Sequence, residues 1–145
     1  MLDRGISLKD FKELNVWKKS RVLTASIYEC TGKFPAREIY GLTSQMRRCA
    51  ISIAANIAEG CGRKSDPELA RFLKIARGSA FELECHVLVS GDLKFLQESE
   101  VADLLKQIHE VQRMLSSFIQ TLSKDSFESE VPAKKARAKT AGGGA

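Results

Sequence analysis

Proline and histidine are both scarce in this chain, with three and two residues among 145. An interior proline removes a backbone hydrogen-bond donor and clashes with the preceding helical turn, so its scarcity permits long helices. Two histidines leave little material for acid–base catalysis. Neither stands in the Glu-x-x-His step of a di-metal helical bundle, although Glu82 and His86 are four residues apart. The sequence therefore predicts no metal site and no cofactor.

Long apolar runs are also missing. No stretch approaches the roughly 20 apolar residues of a membrane-spanning helix, and no apolar segment near Met1 is typical of a signal peptide. We therefore expect a cytoplasmic protein with no membrane partner. The four cysteines form no close pair, which argues against a zinc knuckle or a redox dithiol, so they are expected to be reduced and to act as small apolar residues. They are Cys30, Cys49, Cys61 and Cys85.

An excess of one charge is confined to the end of the chain. Of the net charge of +5, residues 131–145 contribute +4 through Lys134, Lys135, Arg137 and Lys139, and they contain no acid. The other 130 residues hold 19 basic and 18 acidic side chains and are nearly neutral. Global charge therefore does not argue for nucleic-acid binding, and only local clustering of cations can do so.

What the chain does contain is four segments whose apolar residues recur at helical spacing. The expected helices cover about residues 8–31, 42–60, 66–91 and 99–122. Their expected caps are Ser7, then Ser65 or Asp66 ahead of Pro67, then Ser99. The expected core face of the third helix consists of Leu69, Phe72, Leu73, Ala76, Ala80, Leu83 and Val87. That of the fourth consists of Val101, Leu104, Ile108, Val111, Leu115, Phe118 and Leu122.

These segments predict an all-α protein, an antiparallel up-and-down four-helix bundle, because short links between helices favour antiparallel neighbours. The bundle is expected to occupy residues 1–124. Residues 125–145, rich in Ala, Lys and Gly, are expected to form a disordered basic tail. The small residues Gly78, Ser79 and Ala80 of the third helix predict the close approach of another helix at this point.

A cluster of cations around the second and third helices is the first candidate site. It consists of Arg47, Arg48, Arg63, Lys64, Arg71, Lys74 and Arg77. Arginine and lysine both suit phosphate oxygens, so the cluster is a candidate nucleic-acid surface. The alternative is a solvated helix face paired locally with acids such as Glu68, Glu82 and Glu84.

A polar line on the second helix is the second candidate. It runs through Gln45, Arg48, Ser52, Asn56 and Glu59. Such a line could form a catalytic site, but a buried network that fixes helix register or subunit geometry is the favoured interpretation. The glycines of the segment from Gly60 to Ser65 lack the spacing and the preceding strand of a phosphate-binding loop, so they indicate a turn. Among the aromatic residues, Trp17 and Tyr28 are expected to pack, and Tyr40 to be exposed.

The motifs themselves resemble a known family. Tyr40-Gly41-Leu42-Thr43 is followed by Arg47-Arg48, then by Asn56-Ile57-Ala58-Glu59-Gly60, Gly62-Arg63 and Phe72-Leu73. This pattern resembles the four-helix bundle proteins encoded in intervening sequences of bacterial 23S ribosomal RNA genes. They look related to the accessory variability determinants of diversity-generating retroelements. The resemblance covers about residues 11–122 and implies a homopentamer with a basic surface.

Two functions are expected from these observations together. The first is a non-catalytic homo-oligomer that binds nucleic acid, RNA in particular, through the cation cluster. The second is a protein–protein scaffold or adaptor for a nucleic-acid enzyme such as a reverse transcriptase, because the first helix is apolar on more than one side.

Overall fold

A computed structural model describes the backbone of residues 10–141 and the side chains of residues 10–124. This part of the chain is built from α-helices and two 3-10 turns, and it contains no strand. The helices are α1 Asn15–Thr31, α2 Leu42–Cys61, α3 Asp66–Asp92 and α4 Glu98–Ala141. The 3-10 turns are Phe11–Glu13 and Ala36–Glu38. The predicted all-α class is confirmed.

The helices follow one another around the bundle. Contacts join α1 to α2, α2 to α3 and α3 to α4, and α4 also contacts α1, which closes the ring of four. The links between consecutive helices are short, so neighbours run antiparallel, as an up-and-down bundle requires.

The core confirms the helical periodicity of the sequence. All seven residues of the predicted α3 face are buried, and five of the seven on α4 are buried while Val101 and Phe118 pack at its edge. On α1 the apolar residues Val16, Leu23 and Ile27 are buried, whereas the apolar residues Val22 and Tyr28 are exposed. Among the described residues, none of the helices combines the length and the hydropathy needed to cross a bilayer.

The start of α1 differs from the prediction of a helix from about residue 8 capped by Ser7, a residue outside the described part of the chain. The helix begins at Asn15, because Leu14 has an extended backbone with φ −73° and ψ 127°. Upstream, the Asp10 carboxylate caps the 3-10 turn by accepting a hydrogen bond of 3.1 Å from the Lys12 amide. Phe11 then packs edge-on against Trp17, with ring centroids 5.0 Å apart. The apolar residues before Asn15 thus pack from a turn rather than from a helix.

Of the two other predicted caps, the one at the start of α3 is confirmed and the one at the start of α4 is wrong. Ser65 caps α3 as predicted, since its Oγ accepts a hydrogen bond of 3.3 Å from the Glu68 amide. Ser99 does not cap α4, which begins one residue earlier at Glu98. There the Glu100 carboxylate accepts a hydrogen bond of 3.1 Å from the Gln97 amide and takes over the capping role.

The helix α4 extends to Ala141 along the backbone. The disordered basic tail expected over residues 125–145 stays a prediction. Residues 142–145 lie outside the described residues. The division of the chain at residue 124 stays a prediction.

Candidate functional site

The seven predicted cations do not share one surface. Arg47 lies between α1 and α2, where its guanidinium stacks 4.6 Å from the Tyr28 ring and its Nε donates 2.9 Å to Thr31 Oγ1. Arg77 points toward α4 and donates from Nη1 to Ser116 Oγ at 3.4 Å. Arg48 lines a cavity between α2 and α3. These three arginines therefore separate from the rest of the cluster.

The remaining four cations belong to the α2–α3 turn and to the first three turns of α3. Arg63 and Arg71 approach the same Phe72 ring, at 4.8 and 4.6 Å from its centroid. Lys64 follows Arg63 directly, Lys74 lies one turn beyond Arg71, and both lysines are exposed. We call Arg63, Lys64, Arg71 and Lys74 the turn cluster.

Carboxylates accompany the two arginines of this cluster. Arg63 pairs with Glu59 at 2.9 Å and Arg71 pairs with Glu68 at 3.4 Å. Neither lysine has an ion pair within the part of the chain whose side chains are described. The local-pairing alternative therefore holds for the arginines, whereas the lysines present their charge to solvent.

The turn cluster is positioned by the close approach of α2 to α3. A Cβ on Gly60 would lie 2.9 Å from Phe72 Cβ and 3.0 Å from Leu69 Cδ1, so only glycine fits this contact. Ile57 is fully buried one turn earlier, and Glu59 forms the pair with Arg63. The Asn-Ile-Ala-Glu-Gly block of the sequence thus specifies a helix junction, and its polar and apolar residues have structural partners.

In the polar line of α2, only the middle residues Ser52 and Asn56 form a hydrogen-bond network. Ser52 Oγ lies 2.9 Å from Ser79 Oγ, and Asn56 Nδ2 donates to the Ser52 carbonyl at 2.8 Å and to Ser52 Oγ at 3.0 Å. Gln45 and Glu59, at the two ends of the line, are exposed. The middle of the line joins α2 to α3, which is the structural role that the sequence favoured.

Of the small residues Gly78, Ser79 and Ala80 on α3, two pack closely against neighbouring helices. Ala80 is fully buried and Ser79 meets α2. The expectation is wrong for Gly78, because a Cβ there would have nothing within 4 Å. Gly78 lies on the outward side of α3, away from the other helices.

An open cavity of about 450 Å³ lies between the middles of α2 and α3. It is lined by Gln45, Arg48, Cys49, Ile51, Ser52, Ser79 and Glu82. At its α3 side, possible ligand atoms of Cys49, Glu82 and His86 all lie within 4.8 Å of one another. Burial, and then the neighbouring Glu82 carboxylate, raise the pKa of the Cys49 thiol to about 12. Burial of Cys49 agrees with the expected small apolar role.

Sequence reasoning found two of the three members of this group. It noted that Glu82 and His86 are four residues apart, but Cys49 stands on another helix, 33 residues before Glu82. The sequence does not indicate which residue of the next helix a core-facing cysteine will contact. The group is visible only once α2 and α3 are placed side by side.

The second histidine belongs to a different contact, between α3 and α4. His109 Nε2 lies 3.0 Å from Glu84 Oε2, and Gln112 Nε2 donates to Glu84 Oε1 at 2.8 Å. The hydrogen bond from Gln112, followed by that from His109, lowers the pKa of the Glu84 carboxyl. This bridge completes the hydrogen bonding of the carboxylate and gives it a structural role.

Apolar residues also face outward. On α3 the exposed residues Ile75, Gly78, Phe81, Cys85 and Leu88 recur at steps of three and four, and we call them the outer stripe. Between α1 and α2 lies a shallow groove of about 390 Å³, the alanine groove. It is lined by Trp17, Arg21, Thr24, Ala25, Ile51, Ala54, Ala55 and Ala58. Tyr40 is 94% exposed, as predicted.

Comparison with known proteins gives a family and a fold. The family model described as 23S rRNA-intervening sequence protein matches residues 12–117. A Bacteroides thetaiotaomicron protein of unknown function from the S23 ribosomal protein family, whose crystal structure was determined at 1.70 Å resolution, has a similar fold with a TM-score of 0.65. The two sequences are 22% identical, and the alignment covers 72% of this chain and 97% of the other. None of the curated proteins matches the chain.

Proposed function

The chain belongs to the 23S rRNA-intervening sequence protein family, and from that premise we propose that it is a non-catalytic, homo-oligomeric, cytoplasmic bundle protein that binds RNA. The observation that carries the proposal is the turn cluster, in which Arg63 and Arg71 lie over one aromatic ring and two exposed lysines, Lys64 and Lys74, lie near them in the chain. The family description concerns an RNA gene, and the neighbour in the S23 ribosomal protein family is consistent with a link to RNA.

The chemistry of the turn cluster suits phosphate. Exposed ion pairs such as Arg63–Glu59 contribute only about 0–1 kcal/mol each, so a guanidinium can exchange its carboxylate for a phosphate oxygen at little cost. Lys64 and Lys74 need no such exchange. Stacking on Phe72 holds both guanidinium groups in place before binding, which reduces the entropy lost on complex formation.

Self-association is supported by two apolar surfaces of different shape. The outer stripe is raised, with Phe81 55% exposed, whereas the alanine groove is a depression lined by small side chains. The two lie on different sides of the bundle, so contact between them in successive copies would be head-to-tail, and such contacts form a ring when the rotation between copies closes. The resemblance to pentameric proteins implies a ring of five, which would repeat the turn cluster around its axis.

Salt-dependent binding tests the RNA proposal. Fluorescence anisotropy with a labelled single-stranded RNA should show log K falling linearly with log[salt], with a slope of about −0.7 for each neutralised phosphate. The double variant Lys64→Ala/Lys74→Ala should weaken binding and reduce the magnitude of the slope by about 0.7 for each lysine that contacts a phosphate. Both lysines are exposed, so the fold should be kept.

The matched control is Lys106→Ala/Arg113→Ala, which removes the same charge from exposed positions on α4. It should change the slope less than the turn-cluster variant does. Equal loss in both variants would mean that binding follows net charge and not the turn cluster. Absence of binding even at the lowest salt concentration would reject the RNA-binding function.

Sedimentation velocity tests self-association. The natural chain should sediment as a discrete species several times the mass of one chain. Phe81→Ser should shift it toward the monomer, whereas Ile39→Ser, at a position of similar exposure outside the outer stripe, should not. A monomer at micromolar concentration would contradict the oligomer.

A protein–protein scaffold is the second candidate function. It is favoured by the α1–α2 link, where Ile39 and Tyr40 are both exposed next to each other. Tyrosine combines large contact area with a polar hydroxyl, which is typical of protein interfaces. Affinity purification with and without nuclease separates the two functions, because a direct protein partner is retained after nuclease treatment and one tethered by RNA is lost.

A further inference from the structure

Three side chains of metal-binding chemistry meet between α2 and α3. Cys49 comes from the buried side of α2, and Glu82 and His86 come from successive turns of α3. One ligand atom from each lies within 4.8 Å of the other two. We propose that Cys49, Glu82 and His86 bind a zinc ion, with water from the adjoining cavity as the fourth ligand.

The donor set and its spacing fit zinc. Zinc takes thiolate sulfur, imidazole nitrogen and carboxylate oxygen in tetrahedral geometry, at metal–ligand distances that leave neighbouring ligand atoms about 3.3–3.8 Å apart. His86 Nε2 lies 3.7 Å from Glu82 Oε1, already within that range. The Cys49 sulfur, within 4.8 Å of both, reaches it by small rotations of the exposed Glu82 and half-buried His86 side chains.

The imidazole nitrogen supplies an independent observation. His86 Nε2 is buried and has no hydrogen-bond partner among the described residues. A buried polar atom without a partner costs about 1–3 kcal/mol, and such atoms in native proteins call for an explanation. A metal ion between His86, Glu82 and Cys49 satisfies this nitrogen with no rearrangement of the helices.

The surroundings suit an ion with an open position. The cavity of about 450 Å³ reaches both Cys49 and Glu82 and gives water access to the fourth place. When zinc binds, the Cys49 thiol proton passes to solvent and the sulfur ligates as thiolate. The thiolate and the carboxylate together neutralise the two positive charges of zinc. The bound ion therefore does not repel the guanidinium of Arg48 on the cavity wall.

Zinc at this position would join α2 to α3 where the packing between them is open. The proposal does not depend on RNA binding or on oligomer formation, because all three ligands come from one chain. It adds a metal where the sequence alone predicts none.

Cobalt is the probe for this site, because Co²⁺ replaces zinc and is coloured. The full-length chain, freed of metal with EDTA and dialysed, should bind one Co²⁺ per chain. Tetrahedral coordination should give visible d–d bands, and the Cys49 thiolate should add a sulfur-to-cobalt charge-transfer band in the near ultraviolet. Zinc should then abolish both signals by displacement and should raise the melting temperature of the chain.

Matched variants assign the ligands. Cys49→Ala should remove the charge-transfer band, and His86→Gln should weaken cobalt binding at least tenfold. Cys85→Ala and His109→Gln, which change the exposed cysteine and the histidine that contacts Glu84, should leave the spectrum unchanged. Should Cys49→Ala fail to fold, Glu82→Gln tests the same site at an exposed position, with the same tenfold loss expected.

Two results would overturn the proposal. One is the absence of a tetrahedral cobalt spectrum in the natural chain at micromolar protein. The other is a charge-transfer band that persists in Cys49→Ala but disappears in Cys85→Ala, because the metal would then be held adventitiously by the exposed thiol.

Discussion

Helix α3 carries the same residue types in two different surroundings. Phe72 is 7% exposed beneath two guanidinium groups, whereas Phe81 is 55% exposed on the outer stripe. Glu84 accepts hydrogen bonds from His109 and Gln112 on α4, whereas Glu82 lies 3.7 Å from a histidine whose ring nitrogen has no hydrogen bond in the described part of the chain. The neighbours of a side chain, and not its chemistry alone, decide whether it stabilises the fold or is free to bind a ligand.

Truncating the two phenylalanines tests this difference where the effect is largest. Phe72→Ala should lower the free energy of unfolding by about 3–5 kcal/mol, because it removes a buried ring and leaves a cavity at the α2–α3 turn. Phe81→Ala should change it by no more than about 0.5 kcal/mol at low protein concentration, where self-association contributes least. Urea denaturation followed by circular dichroism measures both. Similar losses in the two variants would mean that Phe81 is also buried within the chain in solution.

The two glutamates should differ by a smaller amount. Glu84→Ala leaves the Gln112 amide, in a residue only 9% exposed, without its acceptor, so a loss of about 1–3 kcal/mol is expected. Glu82→Ala, measured in EDTA, should cost no more than about 0.5 kcal/mol because its side chain faces solvent. Adding zinc should separate the natural chain from Glu82→Ala but should leave the effect of Glu84→Ala unchanged. A large loss for Glu82→Ala in EDTA would assign that carboxylate to the fold.

Two glycines of α3, Gly78 and Gly91, also differ in their surroundings, so replacing each by alanine should change the stability by different amounts. Gly78→Ala should raise the free energy of unfolding by about 0.5–1 kcal/mol, because alanine is the better helix former and a Cβ at this position meets nothing within 4 Å. Gly91→Ala should gain less, since its Cβ would lie 3.0 Å from Val101 Cγ2 and the position is one residue before the end of α3. Thermal denaturation of the two variants, side by side, measures the difference. A loss of stability in Gly78→Ala would show that another surface covers this glycine.

The sequence predicted those parts of the fold that depend on repetition. Steps of three and four along α3 and α4 identified the buried residues, because each helix buries one side and the spacing reports that side directly. The start of α3 was also predictable, since Ser65 and Pro67 act locally. The starts of α1 and α4 were not, because the Phe11 contact with Trp17 and the capping of Gln97 by Glu100 compete with the nearer candidates.

The candidate sites were less predictable because they depend on pairs of helices. The sequence grouped Arg71, Lys74 and Arg77 in one cation cluster, but Arg77 contacts Ser116 on α4 instead. Arg63 joins the turn cluster only because Gly60 lets α2 approach Phe72. Residues brought together across an interface in this way leave no periodic signal in the sequence.

The smallest expected effect concerns acid stability and the ionisation of Glu84. Its hydrogen bonds to Gln112 and His109 lower the pKa of this carboxyl in the folded chain. A carboxyl whose folded pKa lies below its unfolded value stabilises the fold above about pH 4.3, the pKa of an unperturbed glutamate, and loses that contribution as pH falls through the folded pKa. The free energy of unfolding should therefore decline more steeply below about pH 4.3 in the natural chain than in Glu84→Gln, which cannot titrate there.

The difference should be modest because the side chain is 25% exposed and water screens the contact. Urea titrations at intervals between pH 3 and pH 7 measure it. Parallel curves for the natural chain and Glu84→Gln would mean that Glu84 ionises alike in the folded and unfolded chains, and its bridge to α4 would then lack an electrostatic role.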